Sequence, residues 1–289
     1  MDILEQIVAD KWEDLAGLKQ GYPLRGKGPR KRRKISPEAI RELLLERRII
    51  AEVKRSSPSM GQIDMGVDYV QQARDYESGG AAMISVLTDE RHFSGSFTFL
   101  EEIGRAVDCP LLCKDFIVDE WQLDAAEFAG ADAVLLIVGC FSDTERLRYL
   151  YDYALAKGLL PLVELYLPEE RYSAYQLKPY LLGVNSRNLK TMEIDLAQGA
   201  QTLALVCREL EMPQSREVRS LAGVPDLPLF VGESGIFEAS DAHVWAAGGA
   251  DCLLVGTSLM LAGKESGDVS ERIRSFQSVF STGEWGMGL

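Results

Sequence analysis

Eight short apolar runs, each of strand length, recur along most of this chain, and they restrict its fold more than any other feature. They are IIAEVK (49–54), AAMISVL (81–87), PLLCK (110–114), DAVLLIV (132–138), LPLVELY (160–166), LLGVN (181–185), LPLFVG (227–232) and CLLVG (252–256). Most begin some 20–35 residues after the previous one, the period of a strand plus a returning helix. Amphipathic stretches such as VDYVQQARDYESGG, DEWQLDAAEFAGA and FEASDAHVWAAGGA fill the intervals. GGA or AGA recurs just before a strand, where a helix C-cap glycine belongs. Near-continuous apolar strands alternating with helices predict a parallel sheet covered on its outer face. Eight such units predict an α/β fold closed into a (β/α)8 TIM barrel. One interval breaks the rhythm: over 40 residues separate the sixth and seventh runs, so an insertion or long loop is expected at about 206–227.

The residues before the first run form an N-terminal helical extension, expected to pack on the barrel and to end at residue 48, with the barrel domain spanning 49–289. Residues 2–19 place Ile3, Leu4, Ile7, Val8, Trp12, Leu15 and Leu18 at helical spacing. GYPLRGKGPRKRRK then reads as a loop, and its PRKRRK run (29–34) as a solvated one rather than a nucleic-acid or membrane contact. Ser36-Pro37 reads as an N-cap with a first-turn proline, opening the helix EAIRELLLERR.

The length of 289 residues suits one barrel plus an extension. The formal net charge of −13 argues against nucleic acid as a partner, since a phosphate backbone would be repelled on average. No apolar run approaches the roughly 18 residues of a membrane span. The opening stretch MDILEQIVADKWEDL has no basic n-region, so no membrane and a cytoplasmic address are the expectation. The five cysteines are odd in number and form no CxxC, so they are read as reduced thiols. HExxH, Walker A and GxGxxG patterns are absent from the sequence, so no cofactor and no metal are expected.

In a barrel of this kind chemistry sits at the C-terminal ends of the strands. The first run gives AEVKRSSPS, where Glu52 and Lys54 point to the same side because side chains alternate along a strand. The third run ends in Lys114, the fifth contains Glu164, and the sixth ends in Asn185 with Arg187 two residues on. The seventh leads into Glu233-Ser234-Gly235 and the eighth into Gly256-Thr257-Ser258. Isolated charges inside apolar strands are costly. Lysines and glutamates gathered at one mouth neutralise each other and stay accessible to a substrate. Gly-Thr-Ser before a helix suits an anion, because glycine lets the backbone approach and the helix-start N–H groups point at it. Each feature alone also fits a solvated charge or a simple turn; their coincidence at one set of strand ends is what points to a site. Of the two histidines, His243 reads as structural, and His92, after the second strand, is a weak candidate.

IIAEVKRSSPS, VLTDERHFSGS, LLCKDFIVDEWQ, ADAVLLIV, LVELY, GVNSRNL, ESGI and LLVGTSLM together resemble, in order, the blocks of the indole-3-glycerol phosphate synthase family over roughly residues 36–262. The resemblance implies a carboxy-lyase of tryptophan biosynthesis. Its small-molecule substrate is an anthranilate ring joined through an amine to a ribulose 5-phosphate, and ring closure loses carbon dioxide and water. It implies that Lys114 protonates the ketone, that Glu164 is the general base, that Lys54 aids dehydration and that Glu52 orients the cluster. Which lysine acts at which step stays open. Ser57, Arg187, Gly235, Gly256 and Thr257 match positions around the phosphate. Asn185 and Ser234, grouped with the catalytic residues, and Glu233 match polar groups facing the sugar or ring. Phe93, Phe116, Leu135 and Leu254 match the apolar wall for the aromatic ring. The departures are Met60 in the loop after the first strand, Gly232 where Ser or Ala is common, and an extension that leaves open whether Trp12 reaches the site.

Three alternatives remain at this point. The barrel could be a phosphoribosylanthranilate isomerase, which the paired lysines fit poorly. It could be a Schiff-base aldolase using Lys114 or Lys54. It could also be a binding or assembly protein without catalysis. Other enzymes of the tryptophan pathway are candidate partners.

Overall fold

A computed structural model describes residues 2–22, 24, 35–54, 56–57, 61–62, 68–211, 227–265 and 268–281. Eight parallel strands close into a barrel. They are β1 (Ile49–Val53), β2 (Met83–Leu87), β3 (Leu111–Lys114), β4 (Ala133–Ile137), β5 (Leu160–Leu165), β6 (Leu181–Asn185), β7 (Leu229–Glu233) and β8 (Cys252–Val255). Each strand pairs with its neighbours in sequence, and β1 closes on β8 with Ile49 opposite Leu253. The apolar runs therefore become strands because both of their faces are covered. Outward side chains such as Val86, Val134 and Leu182 pack under the helices. Inward ones such as Ile50, Met83, Leu112, Leu162 and Val231 fill the barrel. Strand ends differ from the apolar runs by at most two residues, as ends usually do.

The two helices of the extension occupy opposite ends of the barrel. Helix α2 (Pro37–Arg47) opens as its sequence predicts, with Ser36 Oγ accepting from the Ala39 amide at 3.2 Å and Pro37 in the first turn. Its Ile40 and Leu44 join the interior cluster, and Arg41 donates to the carbonyls of Tyr180 and Leu227 just ahead of β6 and β7. It thus plugs the N-terminal end. Helix α1 (Ile3–Gly21) begins in a capping box between Asp2 and Glu5. It crosses the opposite end, burying Leu4, Ile7 and Leu15, with Leu4 close to Gly139 beyond β4. Trp12, at the edge of that face, is 50% exposed.

The outer helices are α3 (Tyr69–Ser78), α4 (Glu90–Phe93), α5 (Phe97–Ala106), α6 (Glu120–Ala129), α7 (Thr144–Ala156), α8 (Arg171–Leu177), α9 (Leu196–Leu210), α10 (Ala239–Ala247), α11 (Thr257–Glu265) and α12 (Val269–Ser278). The long interval before β7 is not all loop: residues 206–210 complete α9, because its apolar face, with Leu203, Val206 and Leu210 buried, continues the helical spacing. The residues after Glu211 as far as 226, the basic run 29–34 and Met60 lie outside the described residues.

The departure at Gly232 has a packing cause. A Cβ there would lie 2.6–2.8 Å from the ring of Trp245, which is fully buried against the strand. The Trp245 indole N–H donates to the Ser234 carbonyl at 3.2 Å and so ties α10 to the end of β7. All five cysteines are free thiols. Among the described residues, no helix is long and apolar enough to cross a membrane.

Candidate active site

The C-terminal ends of the strands surround one cavity. Its lining includes Glu52, Lys54, Phe93, Lys114, Phe116, Leu135, Glu164, Asn185, Arg187, Glu233, Ser234, Gly235, Leu254, Gly256 and Thr257. These are all of the sequence-predicted positions except Ser57. The backbone of Ser57 pairs with Gly61 beyond β1, and its side chain lies outside the description. His92 and Trp12 do not line the cavity. His92 Nε2 instead lies 3.1 Å from Asp10 of α1.

Glu52 organises the cationic side. Its position in β1 directs it inward, and Lys54, two residues on, follows on the same face. Glu52 Oε1 is 2.8 Å from Lys54 Nζ, and Oε2 is 3.0 Å from Lys114 Nζ at the end of β3. Burial alone would raise the Glu52 pKa, but the ammoniums of Lys114 and Lys54 overcome it and hold the carboxyl at about 2. Burial likewise works against the Lys114 charge, and the acids around it (Glu52 first, then Glu164 and Glu233) raise its pKa above the ordinary lysine value. The site thus presents two ammoniums at barrel depth, one carboxylate between them.

Across the mouth lies a second acidic pair. Asn185 Nδ2 donates to Glu164 Oε1 at 3.1 Å, which leaves Glu164 Oε2 buried without a donor among the described residues. Neither oxygen of buried Glu233 meets a donor among them either. Burial, then the negative charge of Glu164, pushes the Glu233 pKa well above the usual carboxylate range. Glu233 therefore holds a proton more tightly than an ordinary carboxylic acid.

The features suited to an anion gather on a third side. Ser234 and Gly235 both adopt left-handed backbone, with φ of 70° and 72°, turning the chain sharply after β7. Helix α11 starts at Thr257 directly after β8, so its free N–H groups and dipole face the mouth. The Arg187 guanidinium donates to the Met192 carbonyl at 3.1 Å, and the Arg187 amide donates to Asn185 Oδ1 at 2.8 Å. Opposite these groups stands the apolar wall. The Phe93 and Phe116 rings lie 6.1 Å apart between centroids, and Leu135 and Leu254, buried in the barrel interior, line the same cavity.

Several lining residues escaped the sequence reading. Asp89 and Asp115 follow strand ends in LTDERHF and LLCKDF, so the strand-end rule that singled out Lys114 also reaches them. Leu189, Met192, Ile194 and Phe237 line the rim from loops, where no periodicity marks them.

A family model described as indole-3-glycerol phosphate synthase matches residues 4–276. A relative of that name from Oceanobacillus iheyensis is 42% identical over 212 residues, 73% of this chain and 74% of the relative. Another, from Bacillus thuringiensis, is 40% identical over 259 residues, 89% of this chain and 92% of the relative. Among solved structures, 3-hexulose-6-phosphate synthase from Salmonella typhimurium superposes with a TM-score of 0.55 at 13% identity, covering 81% of this chain and 98% of that one. Thiamine phosphate pyrophosphorylase from Pyrococcus furiosus does so with a TM-score of 0.55 at 17% identity, covering 83% and 98%. At those identities the structural likeness speaks for the barrel fold alone.

Proposed function

The chain belongs to the indole-3-glycerol phosphate synthase family, and from that premise we propose that the mouth of its barrel is the catalytic site, with the residues above in definite roles. The family reaction closes the indole ring of 1-(2-carboxyphenylamino)-1-deoxyribulose 5-phosphate, with loss of carbon dioxide and water, in tryptophan biosynthesis. Family membership separates this carboxy-lyase from the aldolase, isomerase and non-catalytic readings of the sequence.

The substrate has an apolar ring and an anionic tail joined by a flexible link. The site offers a wall and a rim to match. The ring packs on Phe93, Phe116, Leu135 and Leu254. The phosphate sits among Ser57, Arg187, Gly235, Gly256 and Thr257. Binding both ends folds the link and brings the ring carbon that bears the carboxylate to the ketone carbon, and such pre-orientation contributes several kcal/mol.

Lys114 donates a proton to the ketone oxygen as the ring carbon attacks and the new carbon–carbon bond forms. The carbon–carboxylate bond then breaks, carbon dioxide leaves, and its electron pair returns to the ring. Glu164 takes up a proton from the methylene carbon beside the amine, whose C–H electron pair becomes the new ring double bond, as the former ketone oxygen departs as water, which receives its second proton from an ammonium, assigned to Lys54. Glu52 pairs with both lysines and holds them in place. Asn185 orients Glu164, and Ser234 and Glu233 face the sugar and the amine.

The observation that carries this reading is the double ion pair of Glu52 with Lys54 and Lys114, facing Glu164 across one cavity. The test is a fluorimetric assay of indole product. The purified protein should turn over the substrate, and Lys114→Ala and Glu164→Gln should each lower kcat by about 10²–10⁴ with an unchanged circular dichroism spectrum. A wild-type protein that forms no indole product, or a Lys114→Ala variant at full turnover, overturns it. The reading also carries a cytoplasmic address and other enzymes of the same pathway as candidate partners.

A further inference from the structure

Helix α1 sends one side chain into the floor between the loops after β2 and β3. Lys11 is 3% exposed, and its Nζ lies 2.5 Å from Asp89 Oδ2 and 2.8 Å from Asp115 Oδ1. Both aspartates are themselves buried, and both line the cavity. Burial opposes the Lys11 charge, and Asp115 and Asp89 more than offset this, so the ammonium is retained.

Each aspartate also holds one half of the aromatic wall. Asp89 Oδ1 accepts from the His92 amide at 2.7 Å, fixing the short helix α4 that ends at Phe93. Asp115 Oδ1 accepts from the Phe116 amide at 2.8 Å, and its Oδ2 accepts from Thr88 Oγ1 at 2.9 Å. Beside the Thr88–Asp115 hydrogen bond, the two loops thus share one ammonium between their carboxylates. Without it, two buried carboxylates would face each other unpaired, and their repulsion would spread the loops that carry Phe93 and Phe116.

We propose that Lys11 is a positioning residue for the substrate: by pairing with Asp89 and Asp115 at once it sets the distance between Phe93 and Phe116, so a helix outside the barrel shapes the pocket for the aromatic ring. This deepens the active-site reading and rests on it. Lys11 touches no reacting atom in that reading, so its loss acts on substrate binding rather than on turnover. Leu4, Ile7 and Leu15 keep α1 anchored independently of the lysine.

The test compares steady-state kinetics of Lys11→Met and Lys11→Arg with wild type and with Lys114→Ala, using the carboxyphenylamino-deoxyribulose phosphate as substrate. Lys11→Met should raise KM at least tenfold with kcat within threefold, and Lys11→Arg, which retains the charge, should keep KM within threefold of wild type. A KM within twofold of wild type in Lys11→Met, or an equal rise in Lys11→Arg, overturns the proposal. If Lys11→Met does not fold, the triple variant with Asp89→Asn and Asp115→Asn removes the unpaired charges but not the need for the clamp. A raised KM there supports the proposal, and a wild-type KM overturns it. Full activity in Lys114→Ala would instead overturn the active-site reading, so the two failures are distinct.

Discussion

Gly256 leaves open the space that the Glu52 carboxylate fills: a Cβ on Gly256 would lie 2.5 Å from Glu52 Oε1 and 3.0 Å from Lys54 Nζ. Strand β8 thereby sets the ion pair of β1, although the two residues are far apart in sequence. The glycine is required by close approach, and its φ is not in the left-handed region.

Gly256→Ala should therefore push Glu52 and Lys54 out of register with Lys114. The expected outcome is a fall in kcat/KM of at least about tenfold, the cost of misplacing catalytic groups by a fraction of an ångström to an ångström. Steady-state kinetics beside a thermal melt separate this from unfolding, since the neighbours that must move are side chains.

Glu52 also links stability to acid pH. Its folded pKa of about 2 lies below the ordinary 4.5, so the folded state favours the ionised carboxylate. That stabilisation is complete above about pH 4.5 and is lost as pH falls through the folded value near 2. Glu52→Gln should flatten the dependence of Tm on pH across this window, while abolishing most activity at neutral pH because the two ammoniums lose their shared anion. Melts between pH 2 and pH 6 check it; a variant whose acid limb parallels wild type contradicts the assignment.

Glu233 carries the opposite sign. Its pKa is raised by burial and by Glu164, so the folded state binds more protons than the unfolded state above pH 4.5, and stability declines as pH rises through that range. Glu233→Gln removes the ionisation while keeping the shape. Its Tm should exceed that of wild type by about 2 °C or more at pH 8, with the gap closing toward pH 4, and its activity should fall. Calorimetry at the two pH values tests both sign and size.

Gly232 illustrates a purely structural demand next to the site. Gly232→Ala would drive a methyl group into the Trp245 ring, and overpacking of this kind costs about 1–3 kcal/mol. Chemical denaturation should show that loss. A Trp245→Phe background, with a smaller ring, should recover part of it.

Much of this protein is legible in its sequence because burial and periodicity are local properties of a chain. The apolar runs read as strands, Ser36-Pro37 as a helix start, and the strand-end positions of Lys54, Lys114 and Glu164 point to one mouth. What only the tertiary structure decided are distances between segments remote in the chain. These include Glu52 shared by two lysines, Gly256 vacant for Glu52, Trp245 on Gly232, and Lys11 joining Asp89 to Asp115. Lys11 in particular reads in sequence as one more polar residue of an amphipathic helix, because nothing in the spacing of that helix reveals which loops lie beneath it. Side-chain patterns determine which face of an element is buried; barrel closure and helix docking decide which charges meet there, and the chemistry depends on those meetings.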